Sequence, residues 1–79
     1  MEEQITNQKI IELRRKAAEF FQRAAWNQLL SLDNYRANNL EAAERFAKLS
    51  YEDQMNGVEF AELADAESSV DEMLEFEDE

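Results

Sequence analysis

The side chains of this chain that could do chemistry are almost all carboxylates. The 79 residues include 19 Asp and Glu but no Cys and no His. This composition excludes thiol and imidazole catalysis, disulfides, and zinc sites built on these ligands. Acid-base chemistry by paired carboxylates needs a pocket that raises one pKa, and so short a chain has little means to build one. We therefore expect a protein that is not an enzyme.

Neither a metal site nor a cofactor site is indicated. A calcium loop needs alternating oxygen ligands around a central glycine, and no such run surrounds Gly57, the only glycine. Phosphate loops and nucleotide fingerprints need several glycines. Carboxylates such as Asp71, Glu72 and Glu75 would hold divalent ions only loosely. The sequence thus predicts no cofactor and no metal site.

Charge is segregated along the chain. Residues 1–48 carry eight basic and seven acidic side chains, whereas residues 49–79 carry twelve acidic side chains and no Lys or Arg. A surface this negative attracts basic surfaces and repels nucleic acid and anionic membranes. We expect the partner to be a protein with a basic surface, such as a nucleic-acid-binding protein or complex. Direct binding of nucleic acid or membrane is not expected.

The single basic cluster is Arg14-Arg15-Lys16. It lacks interleaved aromatic residues, so a nucleic-acid site is not favoured. Arg14 projects into the apolar face of the first predicted helix, and it should either reach outward at the edge or pair with a carboxylate of the acidic half. The second arrangement would hold the two halves of the chain together.

The elements that must position these side chains are helices, because the chain has no Pro and one Gly. The fold class predicted is all-α. It consists of a long antiparallel helical hairpin, residues 7 to 31 and about 34 to 56, plus one or two short acidic C-terminal helical segments. Oligomerisation is a way to complete its core. Apolar residues recur with helical spacing from Ile10 to Leu32, and Leu40, Ala43, Ala47 and Tyr51 would line the second helix.

Capping signals set the predicted boundaries. Asn38, with Glu41 three residues later, resembles a capping box for the second helix. Asn56-Gly57 would end that helix, because glycine adopts the left-handed conformation without strain. Ser69-Val70-Asp71-Glu72 would cap a last short helix.

The predicted domain organisation is one small domain, residues 1–79. It divides into a charge-balanced hairpin, residues 1–56, and an acidic segment, residues 57–79. No apolar run approaches 18 residues and the N-terminus is acidic, so neither a membrane span nor a signal peptide is expected. The expected compartment is the cytoplasm of the source or of a host cell.

The leading functional hypothesis is a small acidic inhibitor or regulator that occupies a basic, nucleic-acid-binding surface of a partner protein, as a nucleic-acid mimic. Charge gives fast, salt-sensitive encounter, and apolar anchors make the complex long-lived. The candidate electrostatic contacts are Glu59, Glu62, Asp65, Asp71, Glu72 and Glu75. The candidate apolar anchors are Phe60, Met73, Leu74 and Phe76.

The alternative is a structural or assembly protein, a homo-oligomer formed through the helical hairpin, in which the acidic end serves as a solubility tail or adaptor. Trp26 projects away from the main apolar face, and Trp26, Leu30 and Phe46 are the candidate oligomer face. A third possibility is an adaptor that offers residues 69–77 as a short amphipathic helix to a groove. Weak salt dependence of binding would favour the adaptor.

Overall fold

The computed structural model describes the backbone of residues 2–77 and the side chains of residues 7–68. It contains two helices, α1 (Glu2–Arg36) and α2 (Leu40–Glu77), packed against each other in opposite directions, and the described residues form no strand. The predicted all-α antiparallel hairpin is confirmed. The molecule measures 61 × 20 × 12 Å, so the two helices form a single layer.

Small residues line the seam between the helices at intervals of seven. A seven-residue repeat keeps one stripe of each helix facing its neighbour, and small side chains let the two backbones approach closely. No large side chain of the described residues is fully buried. The buried residues are Ala17, Ala24 and Ser31 on α1 and Ala43, Ser50, Gly57 and Ala64 on α2.

A second row of larger side chains runs beside the small ones and is half-buried. Phe20 and Phe60 stack with ring centroids 5.7 Å apart. One layer nearer the connection, Asn27 Nδ2 donates a hydrogen bond to Asp53 Oδ2 at 2.8 Å. The apolar burial predicted from Ile10 to Leu32 is therefore concentrated on a narrow stripe, and Leu32 itself is exposed.

The two buried serines tie the helices together through their hydroxyl groups. Ser31 Oγ donates to the carbonyl oxygen of Ala43 at 2.8 Å, and Ser50 Oγ donates to that of Ala24 at 2.7 Å. Buried polar groups must be hydrogen-bonded, and these bonds form only in one register of the two helices. The serines therefore help to fix which residues of α2 lie opposite α1.

The connection between the helices is three residues long and differs from the prediction. Asn38 has a φ of 63°, and its N–H donates to the carbonyl of Tyr35, while the N–H of Asn39 donates to that of Asn34. This is a Schellman motif that ends α1, with asparagine in the left-handed position. Asn38 therefore does not cap α2. Asn39 precedes that helix, and its carbonyl accepts from the N–H of Ala43.

The predicted helix boundaries at residues 31, 34 and 56 were wrong. Helix α1 continues through Asp33 and Asn34, and α2 continues through Asn56-Gly57 and through the predicted cap at Ser69. Packing against α1, and not a turn, explains why residue 57 is a glycine. A Cβ at this position would lie 2.7 Å from Cε1 of Phe21, so the missing side chain makes room for that ring. The acidic end is therefore an extension of α2.

Candidate protein-binding surface

Basic residues of α1 face carboxylates of α2 at the open end of the hairpin. Arg14 Nη2 lies 2.9 Å from Asp65 Oδ1, and Lys9 Nζ lies 2.9 Å from Glu67 Oε1. Of the two arrangements expected for Arg14, the structure shows the pairing with a carboxylate of the acidic half. Both pairs are partly exposed, so each contributes modestly to stability. They join the N-terminal part of α1 to α2.

Two further cations of α1 lie over aromatic rings. Lys16 Nζ is 5.5 Å from the ring centroid of Phe60, and the Arg23 guanidinium is 5.0 Å from that of Phe20. The charge of a cation is attracted to the face of an aromatic ring at such distances. These cations therefore cover the Phe20–Phe60 stack and are not paired with the glutamates four residues before them.

One local ion pair on α1 shifts a pKa. Arg15 Nη2 donates to Glu12 Oε1 at 2.6 Å. The hydrogen bond and the positive charge of Arg15 favour the ionised carboxylate and lower the pKa of Glu12. The same hydrogen bond raises the pKa of Arg15. Both side chains lie on the surface, so this pair organises charge locally.

The outer surface of α2 carries a row of exposed carboxylates, which we call the acidic stripe: Glu52, Glu59 and Glu62. Spacings of seven and three residues place these side chains on one side of a helix. All three are exposed, and none forms an ion pair with another described side chain. The acidic stripe is thus available to a partner.

The predicted electrostatic contacts fall into three groups. Glu59 and Glu62 belong to the acidic stripe. Asp65 is exposed but already paired with Arg14. The remaining three, Asp71, Glu72 and Glu75, lie outside the residues whose side chains the structure describes, and their role stays a prediction.

The predicted apolar anchors are placed less favourably. Phe60 is half-buried between Phe20 and Lys16, so it belongs to the packing of the hairpin and we leave it out of the proposed contact surface. Met73, Leu74 and Phe76 lie outside the described side chains.

Two exposed apolar residues beside the acidic stripe were not among the predicted anchors. Met55 and Leu63 are each 48% exposed, and helical spacing places Met55 between Glu52 and Glu59. Their positions could have been found by continuing the helical periodicity through Gly57. The predicted stop at that residue hid the signal.

The candidate oligomer face is only partly accessible. Trp26 is 64% exposed, as expected from its projection away from the main apolar face. Leu30 and Phe46 are half-buried. The structure therefore offers Trp26 to a partner more fully than the other two residues, and their shared role in self-association stays a prediction.

The described residues show neither a metal site nor a membrane span. Their carboxylates form no group of three that could hold a metal ion. Within the described residues, neither helix has a stretch both long and apolar enough to span a bilayer. No protein-family model, curated protein or solved structure matches this chain.

Proposed function

We propose that this protein is a small acidic regulator that binds a basic, nucleic-acid-binding surface of another protein and occupies it in place of the nucleic acid. The observation that carries the proposal is the continuity of α2. Helix α2 extends without a break from Leu40 to Glu77, and no Lys or Arg follows Lys48. The carboxylates after Lys48 that the structure describes therefore lie along one continuous helix.

The spacing of these carboxylates resembles that of a nucleic-acid strand. Residues 52–67 contain six Asp and Glu, and at a rise of about 1.5 Å per residue they extend over about 24 Å. This gives one carboxylate per roughly 4 Å, compared with one phosphate per about 3.4 Å along a DNA strand. Asp65 and Glu67 are paired with cations of α1, so a surface that binds phosphates in a row would meet a sparser line of negative charge, mainly that of Glu52, Glu59 and Glu62.

The paired carboxylates define which part of α2 remains for a partner. Arg14 and Lys9 hold Asp65 and Glu67 on the side of α2 that faces α1. The acidic stripe projects from the outer side, away from these cations. The basic residues of α1 thus fix the orientation of α2 while leaving Glu52, Glu59 and Glu62 uncompensated.

Apolar side chains beside the acidic stripe would slow the dissociation of the complex. Charge-charge attraction between exposed groups speeds association but is screened by salt. Met55 and Leu63 offer apolar surface within one turn of the glutamates, and burial of such side chains slows dissociation. A basic surface with an apolar pocket therefore fits this region better than a uniformly charged one.

The proposal is tested by capture followed by competition. The full chain, immobilised through its N-terminus, is exposed to lysate at low salt, and the retained proteins are challenged with duplex DNA, with RNA and with salt. We expect the proteins retained by the wild-type chain to be nucleic-acid-binding proteins, and we expect added DNA or RNA to release them. The variant E52Q/E59Q/E62Q should lose this capture, whereas the control E41Q/E44Q, which removes two carboxylates near the connection, should keep it.

Two results would contradict the proposal. Proteins retained equally by wild type and E52Q/E59Q/E62Q would show that the acidic stripe is not the contact. Retention that neither nucleic acid nor salt disturbs would show ordinary protein recognition, and would favour the adaptor hypothesis.

A further inference from the structure

A single layer of two helices leaves several large apolar side chains exposed on one broad face of the hairpin. Stable domains are built from at least two packed layers, because each helix must bury its apolar stripe against another element. Here the seam contains only small residues, and the larger apolar side chains lie beside it. On one face these are Ile11, Phe21, Leu32, Tyr35, Leu40 and Tyr51, which we call the apolar face.

A groove crosses the seam on this face. Phe21, Ala25 and Gln28 of α1 line it together with Ser50 and Gln54 of α2. Leu32 and Tyr51 lie one helical turn from Gln28 and Gln54, so they flank the groove on its two sides. No residue that lines the groove is charged.

We infer that the apolar face binds a second copy of this chain, forming an antiparallel four-helix bundle. Two hairpins stacked face to face make the two-layer architecture that one hairpin lacks. The small residues of the groove leave space for side chains of the second copy. A two-fold axis through the groove would give both copies the same contacts.

The exposed area on this face is sufficient for such a dimer. Its six large side chains are between 40% and 64% exposed, and a large aromatic side chain buries about 150–250 Å². Each copy therefore contributes about 600 Å², and two copies would bury about 1,200 Å². Specific protein interfaces begin at about this size.

The charge distribution selects a second copy and its orientation. Residues 24–51, which hold most of the apolar face, contain three acidic and three basic side chains, so the whole net charge of −11 lies in the open half. In the antiparallel arrangement the acidic open halves, residues 1–23 and 52–79 of each copy, extend to opposite ends, with their centres roughly 40 Å apart at about 1.5 Å per residue. This separation greatly exceeds the Debye length of about 8 Å, so repulsion is screened.

The dimer is tested by sedimentation equilibrium of the full chain across a range of concentrations. We expect a monomer–dimer equilibrium, with the dissociation constant raised about tenfold or more in L32Q/Y51Q. The control W26Q replaces an apolar residue outside the apolar face that is as exposed as Tyr51, and it should leave the dissociation constant unchanged. A chain that stays monomeric would overturn the inference, as would a dimer weakened by W26Q but not by L32Q/Y51Q.

The orientation is tested separately with a spin label at the connection. The chain has no native cysteine, so Ala37→Cys gives one label per copy. Electron spin resonance should report label separations of about 40 Å in the antiparallel dimer, given the helical rise. Labels in close contact would show parallel packing and overturn the arrangement. Circular dichroism of each variant confirms that the helices are retained.

The inference does not depend on the proposed function. The acidic stripe lies on the outer edge of α2, and the apolar face lies on one broad side of the hairpin. E52Q/E59Q/E62Q should therefore dimerise like wild type. Loss of capture with an intact dimer would concern the acidic stripe alone.

Discussion

The two halves of the hairpin are held together by different interactions. In the half near the connection, residues 24–51, Ser31 and Ser50 donate interhelical hydrogen bonds to backbone carbonyls, and the charges balance. In the open half, residues 1–23 and 52–79, two ion pairs, the Lys16–Phe60 contact and the Phe20–Phe60 stack join α1 to α2, and carboxylates outnumber the cations.

The half near the connection thus depends mainly on packing and buried hydrogen bonds, and the open half carries the excess surface charge. The half near the connection supplies a register that is independent of salt. The open half uses its cations to position α2, and the carboxylates that remain form the surface available to a partner. Stability and binding should therefore respond to different substitutions and to different solution conditions.

The largest expected effect is on the packed seam. Ala43 is fully buried, and Ala43→Leu would force the helices apart where Ser31 donates to the Ala43 carbonyl. We expect a loss of about 3 kcal/mol in the free energy of unfolding, near the upper range for overpacking. Urea unfolding at a fixed protein concentration, followed by circular dichroism, measures it. The exposed control Ala66→Leu should change stability by about 0.5 kcal/mol or less, and equal effects would refute this assignment of the seam.

The next effect concerns Gly57 and Phe21. Gly57→Ala gains about 1 kcal/mol of helix propensity but places a methyl group within 2.8 Å of two Phe21 ring atoms, so we expect a net loss of about 1 kcal/mol. When Phe21 is also replaced by Ala, the same change should become stabilising by about 1 kcal/mol. A double-mutant cycle measures the reversal. The same sign in both backgrounds would rule out the steric explanation.

A smaller effect should appear in the open half. Arg14→Gln removes the pair with Asp65, and we expect a loss of about 0.5 kcal/mol at low salt, as for exposed pairs. The loss should disappear at about 1 M salt, where the Debye length is about 3 Å. Hydrogen exchange should quicken for residues near Asp65 and not near Ser50. Arg36→Gln, whose pair with Asp33 lies within α1, is the control, and equal exchange changes would contradict the prediction.

The smallest expected effect concerns the pKa of one surface carboxyl group, that of Glu12. The pKa of Glu12 should lie below its ordinary value because of Arg15. A carboxyl group with a lower pKa in the folded than in the unfolded chain stabilises the fold above the unfolded pKa, and this contribution is lost as pH falls through the folded value. Carbon-13 NMR titration of the Glu12 carboxyl measures the pKa. Arg15→Gln should return it to the ordinary range, and an unchanged value would show another cause.

The hairpin could be predicted from sequence because its signals are local. Scarcity of Gly and Pro and the spacing of apolar residues favour helices irrespective of tertiary contacts. The pairing of Arg14 with the acidic half was also predictable, since an arginine on an apolar face needs a partner or a path to solvent.

The errors arose where a tertiary contact decided the local structure. Gly57 is a helix-ending signal in isolation, and only the Phe21 ring from α1 explains its place inside α2. Asn38 is a residue type that often caps the start of a helix, so it was assigned to the start of α2. In the structure it ends α1. Because the break at Gly57 was assumed, Met55 was assigned to a different element from Glu59, and its position beside the acidic stripe was not recognised.

The most direct measurement is the salt dependence of affinity for a protein captured through the acidic stripe. Between about 0.05 and 0.2 M salt, binding of wild type should weaken steeply, as expected for a charge-driven complex. E52Q/E59Q/E62Q should bind more weakly with a shallower dependence, while E41Q/E44Q should follow wild type. Equal slopes for all three chains would contradict the assignment of the acidic stripe as the binding surface.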